Sequence, residues 1–172
     1  IPVERDHISN QQKMIHNLPD LVGITGLKQS GKNTAAAALV EKLGYTEDAF
    51  ARDLKDIVYS IQGMSVRVPA GVWHMSEDLY LPYQTVVDGL GLDLAKELVP
   101  DVRRILQTFG TEGMREHFGP DVWSDRVIAR VAANRSSADP RPVVVTDVRF
   151  PDEADAIRDA GGLLVRIVRP EQ

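Results

Sequence analysis

At both ends of the chain, short apolar runs alternate with longer stretches of helical spacing. Residues 21–25 (Leu-Val-Gly-Ile-Thr) form a run of strand length, and 32–43 form an alanine-rich helical stretch that stops at Gly44. Residues 46–51 predict a second short strand, and about 53–62 a helix. From 63 to 91 neither period holds. Gly63, Pro69, Gly71, Pro82, Gly89 and Gly91 interrupt that stretch, which reads as an irregular insert or subdomain. Helices follow over about 101–117 and 121–134. Ser136, Ser137, Asp139, Pro140 and Pro142 then mark a loop. Residues 143–146 predict a strand ending at Asp147, 152–160 a helix closed by Gly161 and Gly162, and 163–168 the last strand. No internal repeat or low-complexity tract interrupts this order.

Strand and helix alternate at the two ends with a helical block between them. That order predicts a parallel sheet wrapped by helices, with right-handed crossovers. Ligands of such sheets sit beyond the carboxyl ends of the strands, where Gly26 and Asp147 fall. At 172 residues the chain suits one domain with a real core. The net charge of −5 disfavours a chain that coats nucleic acid, while a phosphate site needs only a few local cations. Without cysteine there is no disulfide frame, thiolate metal site or cysteine nucleophile, which fits a reducing cytosol. No apolar run approaches the roughly 20 residues of a membrane helix. Residues 1–20 are polar, contain Pro2 and Pro19, and show no signal-peptide pattern; the chain starts at Ile1, so a preceding piece is an open question.

Gly26-Leu27-Lys28-Gln29-Ser30-Gly31-Lys32-Asn33-Thr34 carries the strongest signal. In G-x-x-x-x-G-K the glycines let the backbone wrap a phosphate chain, amides point inward, and the following helix adds partial positive charge. Lys32 would reach the β and γ phosphates, with Lys28, Ser30 and Asn33 completing the loop. A ligand-free glycine turn is the plain alternative; the strand before and helix after favour the phosphate loop. Asn33 stands where Ser or Thr usually ligates Mg²⁺, and the hydroxyl comes one place later at Thr34. This argues against GTPases and motor ATPases, which use that direct ligand. The fold class expected is α/β, a parallel sheet flanked by helices around this loop; the family resemblance given below implies its three-layer P-loop kinase form. Its core is read at 20–62 and 142–172, with a helical and irregular acceptor-binding insert at about 63–135.

Asp147 ends an apolar strand, as a metal-side acid does in such enzymes, and would bind Mg²⁺ through water or orient the acceptor; capping the next helix is the alternative. Arg149 stands two residues on, where its planar fork suits a phosphate. Taken at 100° per residue, 101–117 places Val102, Ile105, Leu106 and Phe109 on one face. Arg104, Gln107, Thr108, Thr111 and Arg115 fall on the other, a set suited to a monophosphate and a base edge, against the alternative of an ordinary exposed face. Gly110 and Gly113 thin that helix. Trp123, Val127, Ile128 and Val131 read as core packing, with base stacking by Trp123 as the lesser alternative. Trp73, Tyr80 and Tyr83 read as subdomain packing rather than a base pocket, and Glu77-Asp78 as a solvated loop. His7, His16, His74 and His117 lack metal spacing.

The loop at 26–34, the segment Val102-Arg-Arg-Ile-Leu-Gln-Thr-Phe-Gly-Thr111, and Asp147-Val-Arg149 followed by Glu153-Ala-Asp-Ala-Ile-Arg158 and Val168-Arg-Pro170 together resemble the deoxynucleoside monophosphate kinases of tailed bacteriophages. Ala51-Arg-Asp-Leu-Lys55 is a weaker match. The resemblance implies transfer of the γ-phosphate from Mg-ATP to a deoxynucleoside monophosphate, with ATP and Mg²⁺ as cofactors. It implies that Lys32 and Thr34 hold ATP phosphates, that Lys55, Arg104 and Arg149, with Arg52 beside them, take the acceptor phosphate, and that Gln107 meets the base. Such kinases usually continue past the strand at 163–168 into a lid, a further strand and an adenine-contacting loop, so Arg169 would open the lid. A cytoplasmic location follows (the host's, if phage-encoded), with no membrane or nucleic-acid polymer as partner and a homodimer left open. Two other readings remain: another small-molecule P-loop kinase resembling dephospho-coenzyme A kinase, and a nucleotide-binding module without transfer activity.

Overall fold

The computed structural model describes residues 18–169. The N-terminal stretch to residue 17, with His7 and His16, and Pro170 lie outside the described residues. The elements begin with β1 (Leu21–Gly26), α1 (Lys32–Leu43), β2 (Thr46–Asp48), α2 (Ala51–Ser60), β3 (Ser65–Val68), a 3-10 turn (Val72–His74), β4 (Leu79–Pro82), α3 (Tyr83–Leu90) and α4 (Leu92–Leu98). They continue with α5 (Pro100–Gln107), a π-helical segment (Thr108–Arg115), α6 (Glu116–Phe118), α7 (Val122–Arg135), β5 (Val143–Val145), α8 (Pro151–Asp159) and β6 (Leu163–Ile167). Two compact units result, residues 18–50 with 124–169 and residues 51–123. The helix at 51–60 thus joins the second unit and 124–135 the first, boundaries that differ from those read in the sequence.

The first unit is built on a parallel sheet of order β2-β5-β1-β6. From β1 the chain crosses to one side, and from β5 to the other, so the order reverses between these two neighbours. A crevice at their carboxyl ends is the place such sheets offer a ligand. The valines of β5 are all buried, as β-branched residues in a strand covered on both faces should be. Val22 and Ile24 of β1 pack with Ala36, Leu39 and Val40 of α1. Gly23 faces the other way, where a Cβ would lie 3.1 Å from Ile157 of α8. The sheet therefore carries α1 on one face and α8 on the other, the three layers expected. Gly44 closes α1 in the left-handed region (φ 73°) and donates its N–H to Val40 O at 3.2 Å. At the start of α8, Pro151 takes the first turn, and the buried Glu153 (4% exposed) accepts the N–H groups of Arg149 at 2.7 Å and Phe150 at 3.0 Å.

The second unit corrects two expectations. The stretch read as irregular holds an antiparallel pair, β3 with β4, and the helix α3, and α4 follows it. In β3 the residues alternate outward and inward, with Val66 and Val68 fully buried against Val58, Tyr83, Val86 and Val102. Tyr83 is core, as read, while Tyr80 stays exposed and Trp73 lies over Gly89. Trp73 and His74 adopt left-handed backbone angles (φ 52° and 59°). The second correction concerns 101–117. The α-helix there stops at Gln107, Thr108–Arg115 is π-helical, and α-helical geometry resumes only at Glu116.

Two contacts accompany that wide turn. A Cβ on Gly110 would stand 2.6 Å from Leu54 Cδ2, so the missing side chain lets α2 approach. The Gly110 carbonyl also accepts the indole N–H of buried Trp123 at 3.1 Å, which fixes Trp123 as packing. A phase computed at 100° per residue fails beyond Gln107, because i→i+5 bonding turns the chain less per residue.

Candidate functional site

The phosphate loop lies between β1 and α1 in the first unit. Gly26 has φ 149° and Gly31 φ 99°. A Cβ on Gly26 would stand 2.5 Å from Ile167 O and 2.8 Å from Ser30 Oγ, so only glycine fits against β6 there. Ala35 is the first amide of α1 to reach a carbonyl outside the helix's start, Gly31 O at 3.0 Å. The amides before it are the unsatisfied donors of a helix N-terminus, with the positive end of the helix dipole behind them. Lys32 Nζ bridges the loop and donates to Gly26 O at 2.8 Å and Leu27 O at 2.6 Å. Ser30 Oγ is buried without a hydrogen-bond partner among the described residues. The amides at the start of α1, a cation across the loop and an orphan hydroxyl form a donor set suited to polyphosphate. Lys28, Asn33 and Thr34 are exposed on or beside the loop.

Two carboxylates stand at the ends of the neighbouring strands. Asp147, just past β5, accepts the N–H of Phe50 at 2.7 Å. Asp48, the last residue of β2 and only 7% exposed, holds Arg130 of α7 through Nε–Oδ2 at 2.7 Å and Nη2–Oδ1 at 3.0 Å. Asp48 Oδ1 also accepts Ala49 N–H at 2.8 Å, and its carbonyl accepts Thr146 N–H at 3.1 Å. The turn after β2 is therefore tied to β5 at two points and to α7 by a forked ion pair. The sequence reading missed Asp48, Arg130 and Glu153 in these roles. The strand predicted over 46–51 ends at Asp48 in the structure, so the sequence reading put this acid inside the strand and not at its end. Arg149 and Arg169 are exposed. The pairing Gly26↔Ile167 puts Arg169 at the same carboxyl edge of the sheet as the phosphate loop.

In the second unit, Arg104, Ile105, Thr108, Phe109 and Gly113 line an open groove of about 360 Å³. Arg104 is 75% exposed at the side chain and donates to Asp101 at 3.2 Å; Asp101 also accepts the backbone N–H of Arg67 at 2.9 Å. Gln107 and Thr111 are exposed, and Arg115 is half-buried, but none of the three lines this groove. The phase that grouped Thr111 and Arg115 with Arg104 was α-helical, and the segment is not. Lys55 is half-buried and Arg52 exposed on α2. Lys96 holds the Asp93 carboxyl below the usual carboxylate range, and Lys55 adds a smaller pull.

The sequence profile of a family described as "Deoxynucleotide monophosphate kinase" matches residues 96–172, which include the groove, β5 and the strand end at Asp147. A protein of Acanthamoeba polyphaga mimivirus, provisionally named a deoxynucleotide monophosphate kinase, is 30% identical over 169 residues, covering 87% of this chain and 74% of that protein. The deoxynucleoside-5'-monophosphate kinase of Escherichia phage T5 is 33% identical over 106 residues, covering 59% of this chain and 41% of the phage protein.

Proposed function

Because the chain belongs to the deoxynucleotide monophosphate kinase family, we propose that it transfers the γ-phosphate of ATP to a deoxynucleoside 5'-monophosphate, giving the diphosphate and ADP. The observation that carries this reading is the glycine loop at 26–31, with Lys32 bridging it and the N-terminus of α1 behind it. Transfer needs little covalent help. It needs the acceptor oxygen in line with the γ-phosphate and cations spread over the transferring group.

On this reading the loop amides and Lys32 hold the ATP phosphates, with Thr34 beside them. Arg104, with Lys55 and Arg52 of the same unit, offers positive charge to the acceptor; Gln107, expected to meet the base, does not line the groove. Mg²⁺, when bound with ATP, would neutralise charge on the phosphate oxygens. The chain offers it Asp147 through water and the Thr34 hydroxyl. Among the described residues no group of three or more His, Asp or Glu gathers to hold a metal. Mg²⁺ accepts so thin a donor set, because it keeps several waters and takes phosphate oxygens as ligands. No helix among the described residues is long and apolar enough to cross a membrane. We place the activity in the cytoplasm, that of the host if the chain is phage-encoded.

A panel of acceptors assayed for ADP release tests the reading. Deoxynucleoside monophosphates are expected to drive release and dephospho-coenzyme A is not; release with dephospho-coenzyme A alone would replace this function with that of the other kinase class. Arg104→Ala is expected to raise KM for the monophosphate about tenfold, the lower end for charge-assisted bonds because the side chain is exposed, and to leave KM for ATP within twofold. Steady-state kinetics with each substrate varied in turn checks this. Equal losses on both sides would remove Arg104 from the acceptor site.

A further inference from the structure

We propose that the π-helical turn builds the seat for the acceptor's base and sugar, and that Gly113 limits the size of base the seat admits. This inference rests on the acceptor assignment made above. The groove wall follows a single line of chain, with Arg104, Ile105, Thr108, Phe109 and Gly113 lining it. The step from Arg104 to Thr108 is the i+4 step of an α-helix. The step from Thr108 to Gly113 is the i+5 step of a π-helix. An uninterrupted α-helix would have turned Thr111 or Glu112 toward this line; the π turn brings a glycine instead.

The strip is ordered chemically as well. At one end stands Arg104, steered by its bond to Asp101, which is itself held by Arg67 N–H. The middle is apolar, with Ile105 and the Phe109 ring, and Thr108 contributes a hydroxyl. At the far end Gly113 contributes no side chain. From Arg104 to Gly113 the wall is at most about 13.5 Å long at α-helical rise. A cation followed by an aromatic and aliphatic floor complements a phosphate followed by a sugar and a flat base. A bare phosphate would leave that floor unused. The groove's volume falls in the range of small-molecule sites.

Gly113 is not needed for the backbone. Its φ lies outside the left-handed region, and a Cβ there would meet only Thr108 O, at the ordinary contact distance of 3.6 Å. A side chain at 113 is therefore compatible with the fold and favours helical backbone over glycine. What it would take up is the far end of the groove.

The test uses wild-type protein, Gly113→Ala and Gly113→Val, with binding of dGMP, dAMP, dCMP and dTMP measured by calorimetry without ATP, and ATP binding measured separately. Gly113→Val is expected to weaken the purine monophosphates at least tenfold and the pyrimidine ones less, with ATP binding within twofold and the melting temperature unchanged or raised. Gly113→Ala is expected to shift the same preference in the same direction by two- to threefold, which decides the matter should the valine variant fail to fold. Folded variants that bind all four monophosphates as wild type does would overturn the role of Gly113 while leaving the kinase reading intact. Wild-type protein that binds none of the four would overturn the acceptor assignment itself.

Discussion

Lys32→Ala is expected to lower kcat by three to four orders of magnitude, about 4–5 kcal/mol of transition-state stabilisation, in a protein that still folds. Nζ now spans the loop between the Gly26 and Leu27 carbonyls, at 2.8 and 2.6 Å. Those bonds hold the cation over the cradle, and phosphate oxygens are stronger acceptors for it than neutral carbonyls. Charge builds on the equatorial oxygens as the γ-phosphoryl group moves, so a cation fixed there gains most at the transition state. The side chain is not among the buried core residues, so its loss should cost little stability. ADP release over time, with a melting curve for the variant, checks both halves. Near wild-type turnover would show that Lys32 serves the loop's shape and not the chemistry.

Arg130→Ala is expected to destabilise the fold by about 3 kcal/mol, which for a chain of this size is a fall of about 6–12 °C in melting temperature. Asp48 is 7% exposed, and both its oxygens accept from the guanidinium of Arg130, at 2.7 and 3.0 Å. Removing the arginine leaves a buried carboxylate with its forked partner gone, the costly way to break such a pair. Arg130 is itself 29% exposed at the side chain, so the lower part of the usual 3–5 kcal/mol range applies. Chemical unfolding of the two single variants and of Asp48→Ala/Arg130→Ala checks this. The double variant should lose clearly less than the sum of the singles, since each single already removes the pair. Additive losses would mean that Asp48 and Arg130 act separately.

The parts of the fold that local chemistry dictates could be read from the sequence. G-x-x-x-x-G-K admits few backbones, and the glycine at 26 is required because a Cβ would strike Ile167 O. The valine run of β5 can hide only in a sheet covered on both faces, and Gly44 closes α1 where the spacing stopped. The hairpin of the second unit was hidden because β3 and β4 are short and sit among glycines and prolines, with Pro82 inside β4 itself. The π turn was invisible for a different reason: projecting a helix face presupposes its pitch, and the contacts that accompany the wide turn, Leu54 against Gly110 and Trp123 on its carbonyl, are tertiary.

The candidate site divides in the same way. Lys32, Gly26 and Asp147 were legible as motif residues. Arg130 was not, because it acts through Asp48, which stands 82 positions away. The partner of Asp147, the Phe50 amide, is 97 positions away. Spacing rules do not reach pairings of that kind. Thr111 and Arg115 were placed on the acceptor face by the correct residue types in the wrong helical period.

The most direct measurement follows phosphorus itself. ³¹P NMR of the protein with ATP, Mg²⁺ and one deoxynucleoside monophosphate at a time should show the monophosphate resonance decline while the two resonances of its diphosphate grow in step with ADP. Stable monophosphate signals across all four bases, in a sample that demonstrably binds ATP, would contradict the account.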